Sequence, residues 1–207
     1  TFVVYSTPSG VSYSATRPQR YTLNRISYTY NDKDGNAATT TDRAYTYFSY
    51  DPHGHVEWMI QELPELGRNY IRYEYETVSG KNRKVIYNEG KPDQFMHRYT
   101  YDADNRMVCT ETSPDGEIWD KDASYLYHVH GPVKRVVLGE DKIQGLDYVY
   151  SVMGLLKGIN HPALNKVTDP GKDALTGSNS KVAKDVFGMI LAYYKNDFHR
   201  EYSPFNS

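Results

Sequence analysis

The sequence predicts an all-β protein built of consecutive antiparallel β-hairpin repeats that pair into a curled ribbon. Three observations predict it. Tyr occurs 21 times and Leu 11 times, although Leu is normally among the commonest residues. Tyr is a strand former whose ring packs on a pleated surface while its hydroxyl stays wet, in keeping with a mean hydropathy of -0.73. An aromatic-x-Tyr step recurs as Tyr28-Thr29-Tyr30, Phe48-Ser49-Tyr50, Tyr73-Glu74-Tyr75, Tyr99-Thr100-Tyr101, Tyr125-Leu126-Tyr127 and Tyr148-Val149-Tyr150. The second members stand 20, 25, 26, 26 and 23 residues apart, a near-constant period of the kind repeat architectures show. Turn signals follow, most clearly Asp51-Pro52-His53-Gly54 and Asp102-Ala103-Asp104-Asn105.

Residues 1–27 show no clear unit and read as a strand-like lead-in, punctuated by Thr7-Pro8-Ser9-Gly10 and Arg17-Pro18. Residues 28–160 hold the six hairpin repeats. In Tyr-x-Tyr both rings point to one face, because side chains alternate across a strand. Asp or Asn then bonds its own backbone, Gly or Asn accepts positive φ, and the chain turns. Short return strands follow, such as Arg106–Thr110 and Lys134–Leu138, and Ser79-Gly80, Asn88-Glu89-Gly90, Ser113-Pro114-Asp115-Gly116 and Gly139-Glu140-Asp141 close the units. Rings on one face are expected to stack from unit to unit. Residues 161–180, with Asp169-Pro170-Gly171, read as a loop or connection. Residues 181–207 read as a closing strand, buried over Val186–Tyr194, and a tail.

Composition excludes several functions. The 24 basic and 26 acidic side chains leave a charge of -2, so no field attracts nucleic acid or an anionic membrane. No apolar run approaches the ~20 residues of a membrane-spanning helix. Cys109 stands alone and forms no internal disulfide. His53/His55 and His128/His130 alternate like ligands, with Asp51 near the first pair. A metal needs three or four converging groups, and both pairs fall where a hairpin turns, so no metal is expected. Asp32-Lys33-Asp34-Gly35-Asn36 and Asp102-Ala103-Asp104-Asn105 begin like calcium loops. Positions six and twelve then hold Ala37 and Arg43, or Met107 and Ser113, in place of the Gly and Glu required. Glu57, Glu62, Glu74, Glu76, Glu111 and Glu117 could supply a glycosidase pair, but sequence alone sets no pair at the separation needed. Trp58 and Trp119 are the candidate sugar-binding platforms. No catalytic residue and no cofactor are expected.

The pattern resembles the YD-repeat, or Rhs-repeat, family. The residues that carry the resemblance are Tyr99-x-Tyr101-Asp102-x-x-x-Arg106, Phe48-x-Tyr50-Asp51-x-x-Gly54 and their degenerate copies. The stretch from Tyr73 to Asn160 is similar to the version in very large secreted proteins of Bacteroidetes, especially Gly90-Lys91-Pro92-Asp93-Gln94-Phe95-Met96-His97-Arg98-Tyr99 and Gly145-Leu146-Asp147-Tyr148-x-Tyr150. Val182-Ala183-Lys184-Asp185-Val186-Phe187-Gly188-Met189 resembles that family's continuation. The resemblance covers roughly residues 25–198. It implies a segment of a β-cocoon, related to the C components of toxin complexes and to teneurin shells. Some members carry an autoproteolytic Asp-Pro-x-Gly-Leu motif; Asp169-Pro170-Gly171-Lys172 departs from it, and cleavage is not assigned.

The expected function is a non-catalytic shell segment of a large secreted or cell-surface protein that encapsulates a C-terminal toxin or effector. The runner-up is a surface adhesin or carbohydrate-binding module, and a glycosidase is third. A ribbon of about 12 strands leaves two open edges; with a start at Thr1 rather than Met, this leads to the expectation of a fragment of a larger parent. Expected partners are the rest of that parent or other shell chains, the enclosed polypeptide, and glycans.

Overall fold

A computed structural model describes residues 1–5, 10–33, 42–175 and 177–193. The turn signals at Thr7-Pro8-Ser9 and Asp34-Gly35-Asn36, residue Tyr194, and the tail lie outside them. All regular structure among the described residues is β. The strands are β1 (Phe2–Tyr5), β2 (Ser12–Ser14), β3 (Arg17–Pro18), β4 (Ile26–Asn31), β5 (Ala44–Tyr50), β6 (Val56–Leu63), β7 (Gly67–Tyr75) and β8 (Asn82–Tyr87). There follow β9 (Phe95–Tyr101), β10 (Met107–Ser113), β11 (Asp120–Tyr127), β12 (Val133–Leu138), β13 (Gln144–Tyr150), β14 (Leu156–Ile159) and β15 (Met189–Ile190). Thirteen of them form one sheet in chain order, from β1 through β4 to β15, with β2 and β3 paired apart. The sheet does not close on itself: β1 and β15 are its ends. The chain divides into two compact units, 1–100 with 112–119, and 101–111 with 120–207.

The hairpin turns repeat at atomic detail. The amide of Asp51 donates to the carbonyl of His55 and that of Gly54 to Asp51. The same two bonds join Asp102 with Arg106 and Asn105, His128 with Pro132 and Gly131, and Ser151 with Leu155 and Gly154. The fourth residue of each turn has positive φ: 98° at Gly54, 60° at Asn105, 115° at Gly131 and 80° at Gly154. That need explains the choice of Gly or Asn. Asp51 and Asp102 add a side-chain clamp, their Oδ1 accepting the amides of His55 and Arg106 at 2.8 Å. His128 and Ser151 keep the backbone geometry with other side chains.

A β-bulge falls at the second Tyr of several steps. Register shifts occur between Ser49 and Tyr50, Glu74 and Tyr75, Leu126 and Tyr127, and Val149 and Tyr150. The extra residue on the return strand is Glu57, Arg83, Lys134 or Lys157, charged each time. A bulge sharpens local twist and breaks the alternation of faces.

The expectation that all the rings share one face is corrected. In the first unit Tyr28 lies opposite Tyr47, Tyr47 opposite Ile60, Ile60 opposite Tyr70, and Arg72 opposite Ile86. Phe48 lies opposite Met59 and Met59 opposite Ile71, on the other face, which continues through Tyr73 and Val85 to His97. Tyr28 and Tyr30 are therefore one residue out of phase with Phe48 and Tyr73, and one residue is enough to change face. They join Tyr45 and Tyr47 in a cluster with ring centres 5.7–6.4 Å apart, and Phe2 stacks on Tyr30 at 4.7 Å. In the second unit Tyr125 lies opposite Val136 and Val136 opposite Leu146, so Tyr125 and Tyr148 do share a face.

The buried strand expected at Val186–Tyr194 is also corrected. Among its described residues only Met189–Ile190 pairs, against β14, and Val186 and Phe187 are 79 % and 49 % exposed. Apolar character marked the segment, but its ordering comes from polar anchors described below.

Candidate functional site

Each unit has a covered face, and the cover comes from the lead-in, from a loop that closes a repeat, and from the chain after the repeats. In the first unit the lead-in lies over β4 to β7. Gln19 Nε2 donates to the carbonyls of Ser27 and Phe48, both at 2.7 Å, and the Arg20 amide donates to Ser49 Oγ. Tyr13 packs edge-on against Tyr70 and at 6.1 Å from Trp58. Beneath are Trp58, Ile60, Ile86 and Met96, all buried. The loop 113–119 covers the other end, bringing Gly116 against Met96 and setting Trp119 against Arg98 and Lys84 at 4.2 and 5.4 Å. Trp58 is 0 % exposed, so its ring has no open face to offer a sugar. Trp119 is partly exposed and is a cation-faced ring whose Nε1 donates to the Gly116 carbonyl.

The second Tyr of a step acts as a brace. Tyr50 Oη donates to the Ile26 carbonyl, Tyr75 Oη to Val56 and Tyr127 Oη to Met107, at 3.0, 3.0 and 2.6 Å. Val56 and Met107 are the residues that leave the Asp51 and Asp102 turns. Tyr193 Oη donates in the same way to Leu156, which leaves the Ser151 turn. Tyr193 thus does a repeat tyrosine's work although no aromatic-x-Tyr step marks it.

Between two turns of the first unit lies an open recess of about 420 Å³ lined by Arg20, His53, His55, Glu57, Tyr73 and Tyr75, among others. His55 Nδ1 lies 2.9 Å from Asp51 Oδ2, while His53 Nδ1 is 3.8 Å away. Burial pushes the Asp51 carboxyl up, but the hydrogen bonds from His55 and Gly54 outweigh it and hold the group below its ordinary value. Tyr75 is pushed up to about 12 by burial, then by Tyr73 and Asp51. Four of the six candidate carboxylates are occupied: Glu57 by Arg20, Glu62 by Arg68, Glu74 by Arg72 and Glu76 by Ser79. His128 and His130 stack on each other at 5.0 Å.

The covered face of the second unit is ionic. Arg135 on β12 and Asp147 on β13 lie under the connection that carries Asp169, Asp173 and Asp185, and all five are buried. The two terminal nitrogens of Arg135 donate to Asp147 Oδ2 and Asp173 Oδ1. The guanidinium is threaded between Gly145 and Gly171, where any Cβ would overlap Arg135 and its partner carboxylates. The amide of Asp173 donates to Asp169 Oδ2. Asn160 Nδ2 donates to Asp185 Oδ1 at 2.9 Å and Gln144 Nε2 to the same oxygen at 2.8 Å. Desolvation pushes the carboxyls of Asp147 and Asp173 up, against the pull of Arg135. Asp185 is pushed up to about 7, by desolvation first and then by a hydrogen bond with Asp169.

Asp147, Asp169 and Asp173 bring carboxylate oxygens within 4.8 Å of one another, close enough to share a cation. Arg135 already stands between Asp147 and Asp173 as that cation. Sequence reasoning weighed Asp169 against a cleavage motif that it does not match, and singled out no other member of this ionic cluster as a site. The aspartates span residues 147–185 with no local spacing motif, and only Asp169-Pro170-Gly171-x-Asp173, with a second Gly at 145, hints at it.

No protein-family model matches the chain, and no curated protein matches its sequence. Among solved structures it is similar to a mutated form of the Tc holotoxin pore of Photorhabdus luminescens, at 12 % identity and a TM-score of 0.34. The match covers 66 % of this chain and 8 % of that one, so the chain spans a small part of that protein's length. A likeness this distant assigns neither family nor function.

Proposed function

We propose that the chain is a non-catalytic structural segment of an Rhs-type shell, secreted or at a cell surface, that encloses a toxin or effector polypeptide. The observation that carries this reading is the brace. Tyr75 and Tyr127 each tie an incoming hairpin to the residue that leaves the preceding turn, and the strand order follows the chain without closing. Such a rule adds hairpins one at a time and builds wall. The rest of the wall, from the same polypeptide or other shell chains, then covers the two ends of the sheet. The test is intact mass and immunoblotting of the native product, followed by proteolysis. A product far above 23.8 kDa that shields a second polypeptide from protease supports the reading. A monodisperse 23.8 kDa monomer that retains no polypeptide overturns it.

A second reading, glycan binding as an adhesin, is favoured by the recess, where Tyr73 and Tyr75 stand beside Arg20 and Glu57. Flat rings next to charged hydrogen-bonding groups suit a sugar's apolar face and hydroxyls. Glycan-array binding that is lost in Tyr73→Ala supports this reading; an empty array removes it.

A further inference from the structure

The ionic cluster of the second unit holds more negative charge than Arg135 balances, and the surplus lies where a covering segment meets the sheet. Asp169, Asp173 and Asp185 are 4 %, 1 % and 5 % exposed. Asp169 Oδ1 has no hydrogen-bond donor, and Asp185 lies within hydrogen-bonding reach of Asp169. A carboxyl this dry and this close to a second one keeps its proton, and Asp185 is the group so held. A proton on Asp185 gives Asp169 a donor.

We propose that the Asp169–Asp185 pair is a proton-operated latch that holds residues 181–191 over the sheet of the second unit and lets them go when the proton leaves for solvent. Geometry shows what the latch fastens. Val182 is buried beside Asp185. The Ala183 amide donates to the Lys142 carbonyl, the Leu191 amide to the Lys157 carbonyl, and Asn160 Nδ2 to the Phe187 carbonyl. On the Asp185 carboxyl converge Asn160 and Gln144 as neutral donors, Asp169 as proton partner, and Asp173 and Asp147 as further negative charges. Arg135 is committed to Asp147 and Asp173, and ionised Asp185 meets repulsion from Asp169, Asp173 and Asp147.

The sign follows from the direction of the shifts. The folded state holds the Asp185 proton more tightly than the unfolded chain, whose ordinary value is 3.8, and releases it near 7. Closure is therefore strongest in acid and weakens as pH rises through that window. Asp147 and Asp173 are shifted in the same direction.

The experiment is amide hydrogen exchange on the whole chain, corrected for intrinsic rates, at about pH 5.5 and about pH 8.5. Protection of the Ala183 and Leu191 amides is expected to fall at least roughly tenfold, the change that one pH unit of linkage gives. In Asp185→Asn, which keeps the shape and can donate to Asp169, the fall is expected to shrink to the part that Asp147 and Asp173 contribute. Unchanged protection in the unaltered protein overturns the latch, as does a fall of full size in Asp185→Asn. Should that variant fail to fold, ¹³C NMR titration of the Asp185 carboxyl in the unaltered protein decides: an inflection near 7 supports the latch, and one at an ordinary carboxylate value overturns it. Recovery of protection at high pH on adding millimolar calcium also overturns it, because a metal would then be the fastener.

Discussion

In the first unit a lead-in strand pair and a Trp-bearing loop close over Trp58, Ile60, Ile86 and Met96. In the second, a loop rich in Asp closes over Arg135 and Asp147. The repeats underneath are alike, with the same turn, the same bulge and the same Tyr brace. What differs is how each covering segment is held, and the difference sets what each cover responds to. Apolar burial is indifferent to pH and falls with lost volume. A buried ion cluster tolerates no missing partner and is indexed to protonation.

The largest expected effect breaks the ionic side. Arg135→Ala leaves the aspartates buried without their cation, and removing one partner of a buried pair costs about 3–5 kcal/mol; with several carboxylates sharing the guanidinium we expect the upper end. Denaturant unfolding at neutral pH measures it. The cost should shrink in acid, where the carboxyls bind protons, and a loss independent of pH would erase the contrast between the units. Trp58→Ala breaks the apolar side by opening a cavity, for about 3–4 kcal/mol. That loss should be the same at acid and neutral pH, which the same titration checks.

A third expectation sets the two covers against each other in one pH scan. Under the first unit's cover, Arg72 of β7 grips Glu89 through two hydrogen bonds of 2.8 and 2.6 Å, and Tyr13 of the cover donates to the same carboxylate. The hydrogen bonds from Arg72 hold the Glu89 carboxyl below its ordinary 4.5. Stability from this group is present above 4.5 and is lost as pH falls through the lower folded value. The second cover has the opposite sign: Asp147, Asp173 and Asp185 are all raised, so stability is lost as pH climbs above 3.8, and for Asp185 the loss runs on to about 7. Acid should therefore loosen residues 10–25 while it tightens residues 181–191. Exchange rates in the two segments, followed from about pH 3.5 to 8, test this. Glu89→Gln should remove the acid response of the first segment, at a cost of about 1 kcal/mol for a half-exposed pair.

The repeats were legible in the sequence because local chemistry makes them. Asp51 and Asp102 clamp their own turns, and Gly54 and Asn105 sit at positive φ, so residue type and spacing alone identify the hairpins. The phase error at Tyr28 and Tyr30 has a physical cause: Tyr-x-Tyr is spelled alike on either face, and only the pairing partner, Tyr47 here, tells which face it is. Trp58 was read as a candidate platform because a ring's burial depends on distant chain, in this case on Tyr13. The ionic cluster is longer-range still. Arg135 and Asp173 are bonded across 38 residues, and nothing near either residue announces the other.

The smallest expected effect tests whether the contrast lies where we place it. Tyr75 and Tyr127 make the same brace, one in each unit, to Val56 and Met107. Tyr→Phe at either removes a hydroxyl and leaves the ring, so each should cost about 1 kcal/mol, the usual net worth of one hydrogen bond. Both hydroxyls bond backbone carbonyls rather than the ionic cluster, so both losses should be independent of pH between about 5 and 8. Tyr193→Phe, whose brace is exposed, should cost less, about 0.5 kcal/mol. Equal losses at Tyr75 and Tyr127 mean that the two units share one wall-building rule and differ only in their covers. A Tyr127→Phe loss that varies with pH would mean that the ionic cluster reaches into the repeats themselves, and the pH response would then belong to the wall.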